Sequence, residues 1–350
     1  MSSTIVAASP PDLLRRLESL CHGRELGSLA SRLGELAALV APDVARFEDA
    51  TPSLRADASA VERGARHLLD LGGKRLRPIC VALTSRLGTG FDARALDLAV
   101  AVELVHAATL LHDDVVDVGD TRRGAPAARM VFGNAISIFA GDWLLIDALR
   151  RVRAAGIEGV LERLLDVIEE MILAESLQLE RRGRLDTSEA QWFEIVDGKT
   201  AALFRWAVFA GGRAGGLDPA RCEELERYGR HLGIAFQAID DLLDLAGDPA
   251  ATGKALFTDL REGKLTYPLI VAQRRDPSLN ALLARALRAG EDADFGEVRA
   301  ILDHTGSLES CRALALEHAA LAKQALDALP PSPARDALAT VADATVHRPT

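Results

Sequence analysis

The pattern of apolar and polar positions along this chain is helical almost throughout. Leu29, Leu33, Leu36, Leu39 and Val40 recur at three- and four-residue intervals, the period of an amphipathic helix, which Pro42 is expected to end. Upstream, Pro10-Pro11-Asp12 is expected to open a helix to about Cys21. Asp57 or Ser59 is placed to cap a helix running to Asp70. Helical periodicity returns over 92–118, from Ile136 to Ala154 and from Ile157 to Arg181. Thr187 or Ser188 caps the next helix, with Gln191 completing a capping box for Ser188. That helix is expected to carry Lys199 and to end near Gly211-Gly212 or Gly215-Gly216. Asp218-Pro219 starts another, Thr252 to Lys254 and Asp259 to Lys264 read as charged loop, and Thr266-Tyr267-Pro268 opens a further helix. The stretch 276–345 predicts three or four short helices. No run shows strand alternation and no short fixed repeat appears, so the fold class expected is all-α.

Composition narrows this picture. The chain has 350 residues, 49% of them apolar and only 4% aromatic, enough for one large core or two small domains. Its formal charge of −10 and the lack of a long basic stripe argue against a nucleic-acid-binding surface. Cys21, Cys80, Cys222 and Cys311 are isolated, which predicts buried reduced thiols in a cytoplasmic protein. The first residues lack the basic and apolar regions of a signal peptide. The most apolar run, Leu96 to Leu111, contains Asp97, Glu103 and His106, and is expected to be too short and too polar to span a bilayer.

The chemistry concentrates in two acidic motifs. Leu110-Leu111-His112-Asp113-Asp114-Val115-Val116-Asp117 places Asp113 and Asp117 on one helix face, where like charges repel. A divalent cation carrying a phosphate is the natural compensator; taken alone, the motif reads equally as a solvated acidic helix end. Phe236-Gln237-Ala238-Ile239-Asp240-Asp241-Leu242-Leu243-Asp244 repeats the pattern. Two such faces opposed would form a carboxylate cage that is costly without metal and a polyanion. Gly72-Gly73-Lys74-Arg75-Leu76-Arg77-Pro78 puts three cations at a helix start, a diphosphate site in the making or an ordinary basic loop. It lacks Walker-loop spacing. His106 lies seven residues before Asp113 on the same face. Gly198-Lys199-Thr200 offers a further phosphate ligand or a snorkelling lysine. Glu175 and Gln178 are polar positions without an assigned role.

With these motifs in this order, the chain resembles the trans-isoprenyl diphosphate synthases, or polyprenyl synthetases, over roughly residues 70–345. It is most similar to those making long, octaprenyl-type products. The resemblance implies one all-α bundle around a deep cavity, expected as a single domain over 25–345, and a homodimer, while residues 1–24 are expected to be a flexible N-terminal segment. The implied substrates are isopentenyl diphosphate and an allylic diphosphate, with about three Mg²⁺ ions as cofactor. Asp113 and Asp117 would bind two of the ions with Asp114 in support. Asp240 would bind the third, with Asp241 and Asp244 supporting it through water. Arg122, Lys199, Gln237 and Lys254, with Thr200 beside them, would contact the allylic diphosphate. Lys74, Arg77, His106 and Arg123 would form the isopentenyl diphosphate site. Lys264 and Asp259 match further family positions.

Residues one to three turns before Asp113 are Thr109, Ala108, Val105, Val102 and Ala101, with no aromatic plug, and the first motif has no insertion. Both features favour a long product, although Phe139 or Trp143 on another helix would serve as a plug. A short-chain synthase and a class I terpene cyclase are the alternatives. The cyclase would need an Asn/Asp, Ser/Thr, Glu triad where Asp240, Asp241 and Asp244 stand. A non-catalytic subunit would tend to lose acidic motifs that this chain keeps, and a purely structural role leaves them unexplained.

Overall fold

A computed structural model describes residues 27–51, 57–247, 256–290 and 293–347. The segment 1–24, the helix expected to reach Cys21, and Thr252 to Lys254 lie outside the described residues. The described chain is all-α, as expected, apart from one two-residue hairpin.

Packing divides the chain into two compact units, each discontinuous in sequence. The first takes residues up to 164, with 206–225 and 328–340. Its helices include α1 (Gly27–Ala50), α2 (Ala60–Asp70), α3 (Leu76–Ser85) and α4 (Ala93–Val116). A hairpin pairing Thr121–Arg122 with Ala125–Pro126 follows, then α5 (Ala128–Phe132) and α6 (Asn134–Ala155). Ser59 opens α2 with a complete capping box to Glu62, satisfying amides that the helix itself cannot. α1 runs through Pro42, where its end was expected. An interior proline costs about 3 kcal/mol, but Val40, Val44 and Phe47 continue the buried stripe, so packing outweighs the lost hydrogen bond. Asp43 of this helix is buried and accepts two bonds from Arg86, at 2.6 and 2.9 Å.

The core of this unit is α4. It is apolar nearly all round, from Ala95 to Leu111, which is the signature of a helix enclosed by others. It packs chiefly on α6 and also on α1, α2 and α3. Its most apolar 18-residue window has a mean hydropathy of 1.5, so by length and composition it qualifies as a membrane span, contrary to the sequence expectation. However, 67% of that window is buried inside the protein, which is how a core helix behaves.

The second unit takes 165–205, 226–327 and 341 onward. α7 (Val160–Arg181) precedes α8 (Glu189–Val196), which opens on the expected Ser188–Gln191 capping box. One unbroken helix was expected through Lys199. Instead a π-helical turn, Asp197–Ala201, interrupts it before α9 (Ala202–Ala214). α10 (Pro219–Ala246) carries the second acidic motif. Part of the expected charged loop is a short helix, α11 (Thr258–Arg261). α12 (Tyr267–Arg275), α13 (Leu279–Ala289), α14 (Gly296–Thr305), α15 (Ser307–Ala325) and α16 (Pro333–Val346) complete the chain. The core of this unit gathers Trp192, Ile234, Ala238, Leu242, Leu269, Leu283, Leu302, Cys311 and Ala315.

Candidate active site

In the first unit, α4 ends within the acidic motif. Asp117 is its C-cap, with its N–H 2.8 Å from the Asp113 carbonyl. Asp113 and Asp117 are half-buried, whereas Asp114 is fully buried. The hairpin returns Arg122 to Asp114, whose Oδ1 accepts from Nε at 2.9 Å and Nη2 at 2.5 Å. Asp114 Oδ2 has no hydrogen-bond partner among the described residues. Arg122, expected at the substrate, therefore serves Asp114 first. Arg129 ties the intervening loop down, donating to the carbonyls of Gly119 and Val118 at 2.7 Å each.

The basic segment sits at the start of α3. Its N-cap is Arg75, held in the left-handed region at φ 50°. Arg75 turns inward to a buried ion pair with Glu103 and lies 5.8 Å from the Phe47 ring centre. Lys74 stays exposed and Arg77 half-buried. A Cβ on Gly73 would lie 2.9 Å from Arg123 Nη2, so the Arg123 guanidinium closely approaches this loop and a side chain at Gly73 would displace it. Burial first, then Arg77, Arg123, Arg75 and Arg122, hold His106 well below its ordinary pKa. His106 is thus a neutral imidazole facing a field of cations, able to hydrogen-bond an anion without adding charge.

In the second unit, the π turn presents Lys199 and Thr200. Such turns recur at functional sites because they re-aim side chains. Lys199 pairs with Glu175 and donates to Gln178 Oε1 at 2.8 Å. Thr200 Oγ1 donates to Gln237 Oε1 at 2.9 Å, and Gln237 Nε2 donates to Asp241 Oδ1 at 2.9 Å. Asp240 and Asp244 are half-buried and Asp241 is buried. Asp244 accepts the Thr258 N–H at 3.0 Å and caps α11. Burial, then the Asp259 charge, push Asp241 up to about 7 and Asp244 up to about 8. This crowding of carboxylates is what a bound cation relieves. Lys264 pairs with Glu262 at 2.7 Å. Lys254 lies outside the described residues.

Sequence reasoning missed the inward turn of Arg75 onto Glu103, the Glu175 and Gln178 partners of Lys199, and the contact of Trp192 with Asp241. Its available signal was the pair Glu103 and His106, one turn apart on an otherwise apolar helix.

In each unit taken by itself, the donors present are of the oxygen type that a hard divalent cation takes. Asp113, Asp117, Asp240 and Asp244 offer carboxylate oxygens, and Asp114 Oδ2 is an unsatisfied buried acceptor. Among the described residues no group of three His, Cys, Asp or Glu side chains closes a cage by itself.

The family model described as polyprenyl synthetase matches residues 58–305. The octaprenyl diphosphate synthase of Escherichia coli is 36% identical over 314 residues, covering 89% of this chain and 97% of its own. A short chain isoprenyl diphosphate synthase of Methanothermobacter thermautotrophicus is also 36% identical, over 291 residues, 82% of this chain and 90% of its own. A polyprenyl synthase structure from Caulobacter crescentus, complexed with calcium and isoprenyl diphosphate, superposes with a TM-score of 0.84 at 38% identity. It covers 91% of this chain and 98% of that one. The chain belongs to the polyprenyl synthetase family, and its activity is that of the family, prenyl transfer.

Proposed function

We propose that this prenyltransferase condenses isopentenyl diphosphate with an allylic diphosphate, head to tail and all-trans, to build a long polyprenyl diphosphate. One observation carries the site assignment. Both acidic motifs are built alike, with the inner carboxylate (Asp114 or Asp241) buried and held by protein donors. The flanking pairs, Asp113 with Asp117 and Asp240 with Asp244, stay half-buried. The flanking groups are the metal ligands of this proposal, Asp113 and Asp117 for two Mg²⁺ ions and Asp240 for a third.

Bound magnesium supplies charge stabilisation for the departing diphosphate. Lys199, with Thr200 and Gln237 beside it, binds and orients the allylic diphosphate; Lys254 and Lys264 add positive charge. Lys74, Arg77, His106 and Arg123 hold isopentenyl diphosphate. When the allylic C–O bond breaks, its electron pair leaves with diphosphate. The isopentenyl double bond then attacks the carbocation, and released diphosphate takes the proton lost. The protein's part is positioning and electrostatics, with no nucleophile of its own.

Identity leaves product length open, since relatives named for long and for short chains match equally well. The case for length rests on Ala101, Val102, Val105 and Ala108, small buried residues on α4 without an aromatic plug. Chromatography of products from farnesyl and isopentenyl diphosphates tests it. A ladder reaching many isoprene units is expected, and a stop after one or two condensations overturns the reading. Ala108→Phe is expected to shorten the ladder.

Homodimeric assembly belongs to the same proposal. Exposed Phe139 and Ile146, two turns apart on α6, are apolar surface that a second copy would cover. Sedimentation of the purified chain reads the state directly. A cytoplasmic setting is proposed because Cys80, Cys222 and Cys311 are free and buried.

A further inference from the structure

We propose that Trp192 is a positioning residue for prenyl transfer: through Asp241 its indole N–H fixes which way the Gln237 amide faces. This rests on the proposed role of Gln237 at the allylic diphosphate.

The geometry is closed on every side but one. Asp241 is 2% exposed, and its carboxylate accepts hydrogen bonds from three protein donors. Its Oδ2 accepts from Trp192 Nε1 at 2.9 Å and from the Tyr267 backbone N–H at 3.1 Å. Its Oδ1 accepts from Gln237 Nε2 at 2.9 Å. An ionised carboxylate only accepts, so with Asp241 charged, Gln237 turns its nitrogen towards Asp241 and its oxygen towards the Thr200 hydroxyl, 2.9 Å away. The second Nε2 hydrogen of Gln237 has no protein acceptor among the described residues, leaving it as the donor for an incoming phosphate oxygen. Without the Trp192 bond, Asp241 loses one of the donors that keep its carboxylate in this plane.

Trp192 is itself rigid. It is 4% exposed, and its ring lies 5.0 Å from both Phe193 and Tyr267 by centroid. An indole N–H is a donor only, and when buried it takes an acceptor. Trp192 also stands seven residues before Lys199 on α8, whose end is the π turn that carries Lys199 and Thr200. α8 and the π turn that follows it therefore connect Lys199, proposed at the allylic diphosphate, to the group orienting Gln237. Outer partners of this kind commonly change affinity or activity by about 10- to 100-fold when removed.

The test compares Trp192→Phe, which deletes the N–H and keeps an aromatic ring, with Trp192→Tyr, which restores a donor. KM for each diphosphate is measured separately, with the Kd of inorganic diphosphate in excess Mg²⁺ by calorimetry. Trp192→Phe is expected to raise KM for the allylic substrate and the diphosphate Kd about tenfold, leaving KM for isopentenyl diphosphate unchanged. Trp192→Tyr is expected to recover part of that loss. Adding Trp192→Phe to Gln237→Leu is expected to cost nothing further, because both act through one amide. Unchanged constants in Trp192→Phe, equal losses for both substrates, or additive effects with Gln237→Leu overturn the inference. A wild-type chain that binds diphosphate but does not condense the two substrates overturns the proposed function instead, and the calorimetric comparison still decides the role of Trp192.

Discussion

Removing the Arg122 guanidinium is expected to damage stability before it damages substrate binding. Asp114 has a fully buried side chain, and Arg122 is its hydrogen-bond donor, with Nε at 2.9 Å and Nη2 at 2.5 Å. Arg122→Met would leave a buried charge uncompensated, a loss of about 3–5 kcal/mol in comparable pairs. The Arg122 side chain is 25% exposed, so water takes over part of its role and the expected cost is at the lower end, about 3 kcal/mol. At roughly 2–4 °C per kcal/mol for chains of this order of size, Tm falls by roughly 6–12 °C. The assay is urea and thermal unfolding followed by circular dichroism. Adding Asp114→Leu should return most of the loss, because an apolar pair of similar volume avoids the desolvation that a lone carboxylate suffers. Three results would refute the reasoning: an unchanged midpoint in Arg122→Met, a double variant as unstable as the sum of its parts, or a binding defect without any stability change.

Asp113→Ala and Asp240→Ala are each expected to lower turnover by orders of magnitude while helical ellipticity is kept; a near-normal rate in either removes that carboxylate from the metal site. Gly198→Ala would put a Cβ 2.6 Å from the Ala174 Cβ and 3.0 Å from the Glu170 carbonyl oxygen on α7. It should cost about 1–3 kcal/mol and lower kcat by shifting the neighbouring Lys199, and a wild-type kcat would show that the π turn tolerates the displacement. Burial first, then His231 and Arg230, press His318 down from 6.5 to about 4, and its Nδ1 lies 3.0 Å from that of His231. A depressed histidine favours its neutral form in the fold, so its contribution is complete above pH 6.5 and is lost as pH falls through 4. His318→Gln is therefore expected to reduce the stability difference between pH 7 and pH 5, and identical pH slopes in denaturant titrations would contradict this.

The helices were legible where their signals are local. Ser59 with Glu62 and Ser188 with Gln191 each form a complete capping box, and both are visible as four-residue words in the sequence. α4 and α6 were expected over 92–118 and 136–154 and occur as Ala93–Val116 and Asn134–Ala155. Pro42 misled because a propensity of one residue was set against a buried stripe that continues past it to Phe47. The π turn at Lys199 was invisible because helical periodicity is nearly the same on both sides of one inserted residue.

The candidate site divides along the same line. Order and spacing of residues were enough to single out both acidic motifs, the Lys74 to Arg77 segment and the Lys199 turn, and with them the family. These are properties of neighbours within a turn or two of helix, which the chain carries before it folds. The inner carboxylate of the first motif, Asp114, is held by Arg122 only eight positions on, but that of the second, Asp241, and the settings of Arg75 and Lys199 were decided by partners distant in sequence. Arg75 meets Glu103 across 28 positions, Lys199 meets Glu175 across 24, and Trp192 meets Asp241 across 49. No periodicity encodes such pairs, because they exist only once helix packing has removed water from between them and left each buried charge a single way to be satisfied.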